Sequence, residues 1–163
     1  LTHISTGQLL RAESQKDTDK GKLIAKLLSE GSLLPFETVL DVLDPVVQKA
    51  RDDSGFILDG TPRDLHQAEY LEYFFQKLNM SLDKVLYLNI PKDESLKRLL
   101  KRAETEHRSD DNAQTILHRL DVYKKETLPV IEFYKSQNKL IEIDGTPDIQ
   151  TIFLDIVNHL SLA

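Results

Sequence analysis

Arginine forks and a strand-ending carboxylate are the residues here whose types and spacing suit phosphate chemistry. Arg11 follows Thr6 and Gly7, and Arg63 follows "LDGTP". Arg98 and Arg102 stand four apart, while Arg108 and Arg119 flank "SDDNAQTILH". A guanidinium presents a planar fork that takes phosphate oxygens two at a time, so several around one cleft would hold a polyphosphate. Taken singly, each arginine equally fits a solvated helix face with a surface ion pair of little worth. Asp59 ends the apolar run "GFILD", where a carboxylate can organise magnesium-bound water beside phosphates or cap a backbone amide in a turn. Asp110 and Asp111 fit an N-cap for a helix beginning near Asn112.

Those side chains need a frame. "GFILD", "KVLYLNI" at 84–90 and "LIEID" at 140–144 are apolar, partly β-branched and too short for helices, and each is followed by a turn signal and then a helical pattern. The alternation predicts an α/β domain, a parallel sheet with helices on both faces. Ligands of such sheets bind beyond the carboxyl ends of the strands, where "LDGTPRD" and "IDGTPD" fall. Helical spacing recurs in "DKGKLIAKLLSEG", which stops at Gly31, in "LHQAEYLEYFFQKL", in "ESLKRLLKRAE", and after Pro147 at Ile149, Ile152, Phe153, Ile156, Val157 and Leu160. Pro45 predicts a break or kink in "FETVLDVLDPVVQKARDD". Thr6 and Gly7 read as a turn ahead of a helix carrying Arg11.

Composition narrows the function further. The chain has 163 residues, 40% hydrophobic and 29% charged, which is ordinary for one globular domain. A net charge of −6 argues against a nucleic-acid surface and leaves room for a small anionic ligand. With no cysteine, disulfides, thiolate metal sites and a cysteine nucleophile are excluded, and a cytoplasmic setting is expected. No apolar run is long enough to span a membrane. The histidines, His3, His66, His107, His118 and His159, have no metal spacing and no evident paired acid.

Read in order, "HISTGQLLR", "GSLLP", "GFILDGTPRDLHQAE", "LKRLLKRAE" and "HRSDDNAQTILHRLDVYKKETLPVIEFY" make the chain resemble the adenylate kinases almost from end to end. The resemblance implies a single domain over 1–163 with the phosphate-loop nucleoside monophosphate kinase fold, an AMP-binding region at about 5–34 and a short lid at about 103–111. It implies that Thr6 and Arg11 contact the AMP base and phosphate, and that Ser32, Leu33 and Leu34 pack on adenine. Gly60, Thr61, Pro62 and Arg63 match the loop with the phosphate-binding arginine, and Gln67 matches the glutamine that hydrogen-bonds adenine. Arg98, Arg102 and Pro147 fall near ATP, Arg108 and Arg119 close on phosphates from the lid, and Asp59 holds Mg2+ through water. The implied catalytic set is Arg63, Arg98, Arg108 and Arg119. The partners are ATP, AMP and ADP, and the protein is expected to act as a monomer.

Relatives specific for UMP and CMP typically carry alanine where Thr6 stands and asparagine where Gln67 stands, so both positions favour AMP and leave a UMP/CMP-type kinase as the alternative. Gln8 stands where the family usually has aspartate, Thr61 replaces a bulky aromatic, and Pro147 lies near the ATP adenine contact. No Gly-x-x-x-x-Gly-Lys-Ser/Thr occurs in the sequence, although such a loop cradles ATP phosphates. In the family this loop, with the central strand of the sheet, comes immediately before "HISTG". Without that piece the sheet is expected to leave two edges unpaired. The residues as they stand are expected to be inactive: either more chain precedes Leu1, or this is an AMP-binding remnant.

Overall fold

The computed structural model describes residues 1–51, 55–106 and 112–160. Strand β1 (Thr2–Ser5) runs directly into helix α1 (Thr6–Ser14), followed by α2 (Asp19–Glu30), α3 (Phe36–Ala50), β2 (Phe56–Asp59), α4 (Leu65–Lys77), β3 (Val85–Asn89) and α5 (Lys92–Glu106). Then come α6 (Ala113–Val122), a π-helical turn (Tyr123–Thr127), α7 (Leu128–Ser136), β4 (Leu140–Asp144) and α8 (Ile149–Leu160). β2, β3 and β4 lie where the apolar runs place them. β1 was not expected, because only Ile4 in "THIS" is fully buried and four residues carry little periodicity. Thr6 and Gly7 are the first residues of α1 and not a turn.

The strands form two parallel pairs, β1 with β2 and β3 with β4. Ser5 lies opposite Asp59, and Asn89 opposite Asp144. Among the described residues no strand joins the pairs, in keeping with a sheet expected to have unpaired edges.

Helix ends follow from local chemistry. The Thr18 hydroxyl accepts from the Gly21 amide at 3.0 Å and starts α2. Gly31 ends it at φ 71°, with the Gly31 and Ser32 amides returning to the Leu28 and Leu27 carbonyls at 3.1 Å each. α3 corrects the expectation of a break at Pro45: it continues through the proline as one helix. Pro45 and Asp41, whose carbonyl loses its amide partner, are both exposed, so water can serve that carbonyl. Meanwhile Leu43 and Val47 anchor the other face at 0% exposure. Pro129 similarly follows the π-helical turn, a register change that accommodates a residue with no amide hydrogen.

The main core joins Ile4, Leu10 and Ile24 to the buried face of α3 and to Leu71 and Phe75 of α4. A smaller cluster gathers Ala68, Val130 and Tyr134. α5 and α8 contribute no fully buried residue among those described. Among the described residues no helix is long and apolar enough to cross a membrane.

Candidate functional site

β1 and β2 end side by side, so α1 and the loop at 60–63 diverge from one point. A cleft of about 270 Å³ opens there. Thr6, Gly7, Gln8 and Arg11 line it from α1, and Ser32, Leu33 and Leu34 from the segment after α2. Asp59, Gly60, Thr61, Arg63 and Gln67 complete the strand-end wall, Arg102 reaches it from α5, and Arg119 from α6. Most residues singled out from the sequence therefore share one cavity. Pro62, Arg98 and Pro147 do not line it, and Arg108 and most of the expected lid lie outside the described residues. The expected lid boundary at 103 falls inside α5, which continues to Glu106.

The first turn of α1 is open to an anion. Ser5 sits at its N-cap position without a side-chain cap bond, and helix amides without such a cap favour negative charge. A Cβ built on Gly7 would lie 3.2 Å from an Arg11 terminal nitrogen, so the Arg11 guanidinium folds back over that same turn.

The neutral wall is buried. Gln67 is 3% exposed; its Oε1 accepts from the Arg63 amide at 2.9 Å, and its own amide donates to the Asp64 carboxylate, the N-cap of α4, at 2.8 Å. Thr6 is 2% exposed and its hydroxyl has no hydrogen-bond partner among the described residues. Gly60, at φ 86°, brings the chain round so that Arg63 Nε donates to the Gly60 carbonyl at 2.8 Å. The peptide before Pro62 is cis. Thr127 Oγ1 donates to the Arg63 carbonyl at 2.7 Å, tying the loop to the start of α7.

Asp59 is exposed at the cleft mouth, where Ser5 Oγ donates to its Oδ2 at 3.2 Å and His3 Nε2 lies 3.6 Å away. Both of these side-chain partners come from β1. Among the described residues no group of three or more His, Cys, Asp or Glu could hold a metal. A lone carboxylate beside a phosphate-sized cleft fits Mg2+, which keeps most of its waters and leans on substrate phosphates for the rest.

Arg98 lies at a second place. It donates to Glu94 at 2.7 Å, to the Gly145 carbonyl at 2.7 Å and to the Thr146 carbonyl at 2.9 Å. The hydrogen bond from Arg98 holds the Glu94 carboxyl below its ordinary value. Arg98 thereby joins α5 to the turn that carries Pro147. In that turn the Asp144 carboxyl accepts from the Thr146 amide and hydroxyl, which hold it below its ordinary value.

Sequence reasoning missed several neighbours of the site. His3 does have an acid partner, as does His159, 3.2 Å from Asp155, which corrects the reading of the histidines as without paired acids. The signal for His3 was the two-residue alternation that places it on the same face as Ser5. The N-cap of α6 is Asn112 itself, accepting from the Thr115 amide at 2.9 Å; Asp110 and Asp111, expected there, lie outside the described residues. Thr115 and Thr127 lie inside the stretch "HRSDDNAQTILHRLDVYKKETLPVIEFY" but have no role of their own in that reading.

A family model described as adenylate kinase matches residues 1–139. The chain belongs to the adenylate kinase family. An adenylate kinase of Phocaeicola vulgatus is 39% identical over 157 residues, covering 96% of this chain and 83% of that one. One from Porphyromonas gingivalis is 40% identical over 154 residues, with 94% and 79% covered. Adenylate kinase isoenzyme 1 of Bos taurus is 39% identical over 160 residues, with 98% and 80% covered. Membership makes this a nucleotide-binding kinase of α/β architecture. The family match ends before β4, so the turn at 145–147 is reached only by the longer pairwise likenesses.

Proposed function

We propose that the protein transfers the terminal phosphoryl group of ATP to AMP, giving two ADP. The observation that carries this reading is that buried Thr6 and Gln67 line the same cleft as Arg11, Arg63, Arg102 and Arg119. A neutral hydrogen-bonding end suits a base, and a cationic end suits its phosphate. Because Gln67 Oε1 already accepts from the Arg63 amide, the side chain has its amide hydrogens left to offer. They match a ring nitrogen bearing a lone pair, which adenine N1 has and uracil N3, carrying hydrogen, does not. The orphaned Thr6 hydroxyl gives the bound nucleotide a second polar partner on this wall.

In this reading Arg11 and Arg63 hold the acceptor phosphate, while Arg108 and Arg119 reach the transferring group from the lid side. Arg102 and Arg98 serve the ATP side, with Arg98 ordering the turn around Pro147. Catalysis is positioning and charge neutralisation with no covalent intermediate. Mg2+, when bound, neutralises charge on the phosphate oxygens, and Asp59 is the residue that would hold it through water. The segment 103–111 excludes water so that AMP, not solvent, is the acceptor. The protein would act as a cytoplasmic monomer.

Calorimetric titration tests the base preference: AMP should bind residues 1–163 at least ten times more tightly than UMP, and Arg63→Ala should weaken AMP by about 10- to 100-fold. Equal binding of UMP would overturn the reading. Residues 1–163 alone should give no turnover in a coupled ADP assay, since the sequence holds no phosphate-cradling loop.

A further inference from the structure

We propose that Thr115 and Gly31 are positioning residues: together they seat α6 on the C-terminal end of α2 and so hold Arg119 in the cleft. The inference rests on the reading of Arg119 as a phosphate ligand.

The last carbonyls of a helix lack intrahelical partners. At the end of α2 the Leu27 and Leu28 carbonyls are taken by the turn at Gly31 and Ser32. The Ser29 carbonyl is instead met by another helix: Thr115 Oγ1 donates to it at 3.2 Å, across 86 positions of sequence. Thr115 is 7% exposed and its neighbour Ile116 0%, so this is a closed contact.

Gly31 makes the approach possible. A Cβ there would come within 2.8 Å of Arg119 Cγ and 2.9 Å of Thr115 Cγ2, and its φ of 71° already disfavours a side chain. Thr115 and Arg119 are four apart and share one face of α6. The contact that seats Thr115 therefore also lays the stem of Arg119 across Gly31, and both Arg119 and the residues after Gly31 line the cleft. Arg119 on the phosphate side thus hangs from this joint, while Ser32 on the base side is held by the turn of α2 itself, its amide donating to the Leu27 carbonyl at 3.1 Å. Without it the stem of Arg119 would lose this seat, and part of its ordering would fall to the binding step.

The test is calorimetric titration of AMP and of adenosine, which lacks the phosphate, into residues 1–163. Thr115→Val keeps the shape and removes the donor; it should weaken AMP about three- to tenfold and leave adenosine unchanged. Thr115→Ser, which keeps the hydroxyl, should bind AMP as the parent does. In an Arg119→Met background Thr115→Val should cost nothing further. Equal losses for AMP and adenosine, or a loss that persists without Arg119, would overturn the proposal and leave Thr115 merely structural. If Thr115→Val changes nothing while Arg119→Met weakens AMP, the joint is refuted and the nucleotide reading stands. If Arg119→Met itself leaves AMP binding intact, the role of Arg119 falls first. Should circular dichroism show Thr115→Val unfolded, Thr115→Ala replaces it in the same cycle, with the same selective loss of AMP expected.

Discussion

In α3, Val39, Leu43 and Val47 recur every fourth residue and are 4%, 0% and 0% exposed. In α8, Ile149 and Phe153 recur at the same spacing and are 88% and 55% exposed, with Val157 only half-buried. The two helices have equally regular apolar stripes, yet one closes the core around the cleft, while in the other Ile152, Ile156, Val157 and Leu160 are only half-buried and Ile149 and Phe153 are exposed. Period alone dictates that a helix forms and which face is apolar. What covers that face is decided by elements elsewhere in the chain.

The sharpest way to break this comparison is to cut both stripes. Leu43→Ala should cost about 2–5 kcal/mol of stability, because it empties a fully packed site. Phe153→Ala should change it by no more than about 0.5 kcal/mol, as expected of an exposed side chain. Urea unfolding measures both. A loss at Phe153 comparable to that at Leu43 would mean that the α8 stripe is covered in solution.

A smaller effect is expected at Gln67, which belongs to the packed region but serves the site. Gln67→Leu removes the acceptor of the part-buried Arg63 amide and should lower stability by about 1 kcal/mol. It should also remove the preference for AMP over UMP, read by titration. A stability loss with the preference intact would assign Gln67 to the loop alone and not to the base.

How much of this was readable beforehand divides along the same line. β2, β3 and β4 and the stop of α2 at Gly31 follow from local pattern, and local pattern is where sequence information is densest. The cleft residues were found through motifs, since Thr6, Ser32 and the Arg63–Gln67 pair are far apart in sequence and nothing in their periodicity says that they meet. Pro45 misled because the rule against proline inside helices assumes a carbonyl with no other partner, and this one faces solvent. Thr115 escaped because a lone threonine in a helix is chemically silent until another helix end lies within reach. His3 escaped because its acid partner comes from the neighbouring strand, 56 positions away by number, and register is a tertiary fact.

The smaller cluster offers a milder test. Tyr134 is 0% exposed, its hydroxyl has no hydrogen-bond partner among the described residues, and burial, with Glu72 adding to it, pushes the phenol well above its ordinary range. Tyr134→Phe removes an orphaned polar group and should leave stability unchanged or raise it by up to about 1 kcal/mol. A clear loss would show that the hydroxyl is satisfied in solution.

The smallest effect concerns how α8 starts. The Asp148 carboxylate accepts from the Thr151 hydroxyl at 2.7 Å, the Gln150 amide at 3.0 Å and the Thr151 amide at 3.1 Å. These bonds, that of the Thr151 hydroxyl foremost, hold its carboxyl below the ordinary 3.8. A folded-state value below the unfolded one means that the cap stabilises the helix above pH 3.8 and is lost as the pH falls through the folded-state value. α2 is capped by the Thr18 hydroxyl, which does not titrate in that range. Amide exchange followed by NMR on acidification should therefore show Gln150 and Thr151 losing protection before Gly21 does. Asp148→Asn should abolish that acid step, because its amide can still cap but carries no titrating proton. If α8 and α2 lost protection together, and the asparagine variant did the same, the weak packing of the α8 stripe, and not its cap, would govern the end of the chain.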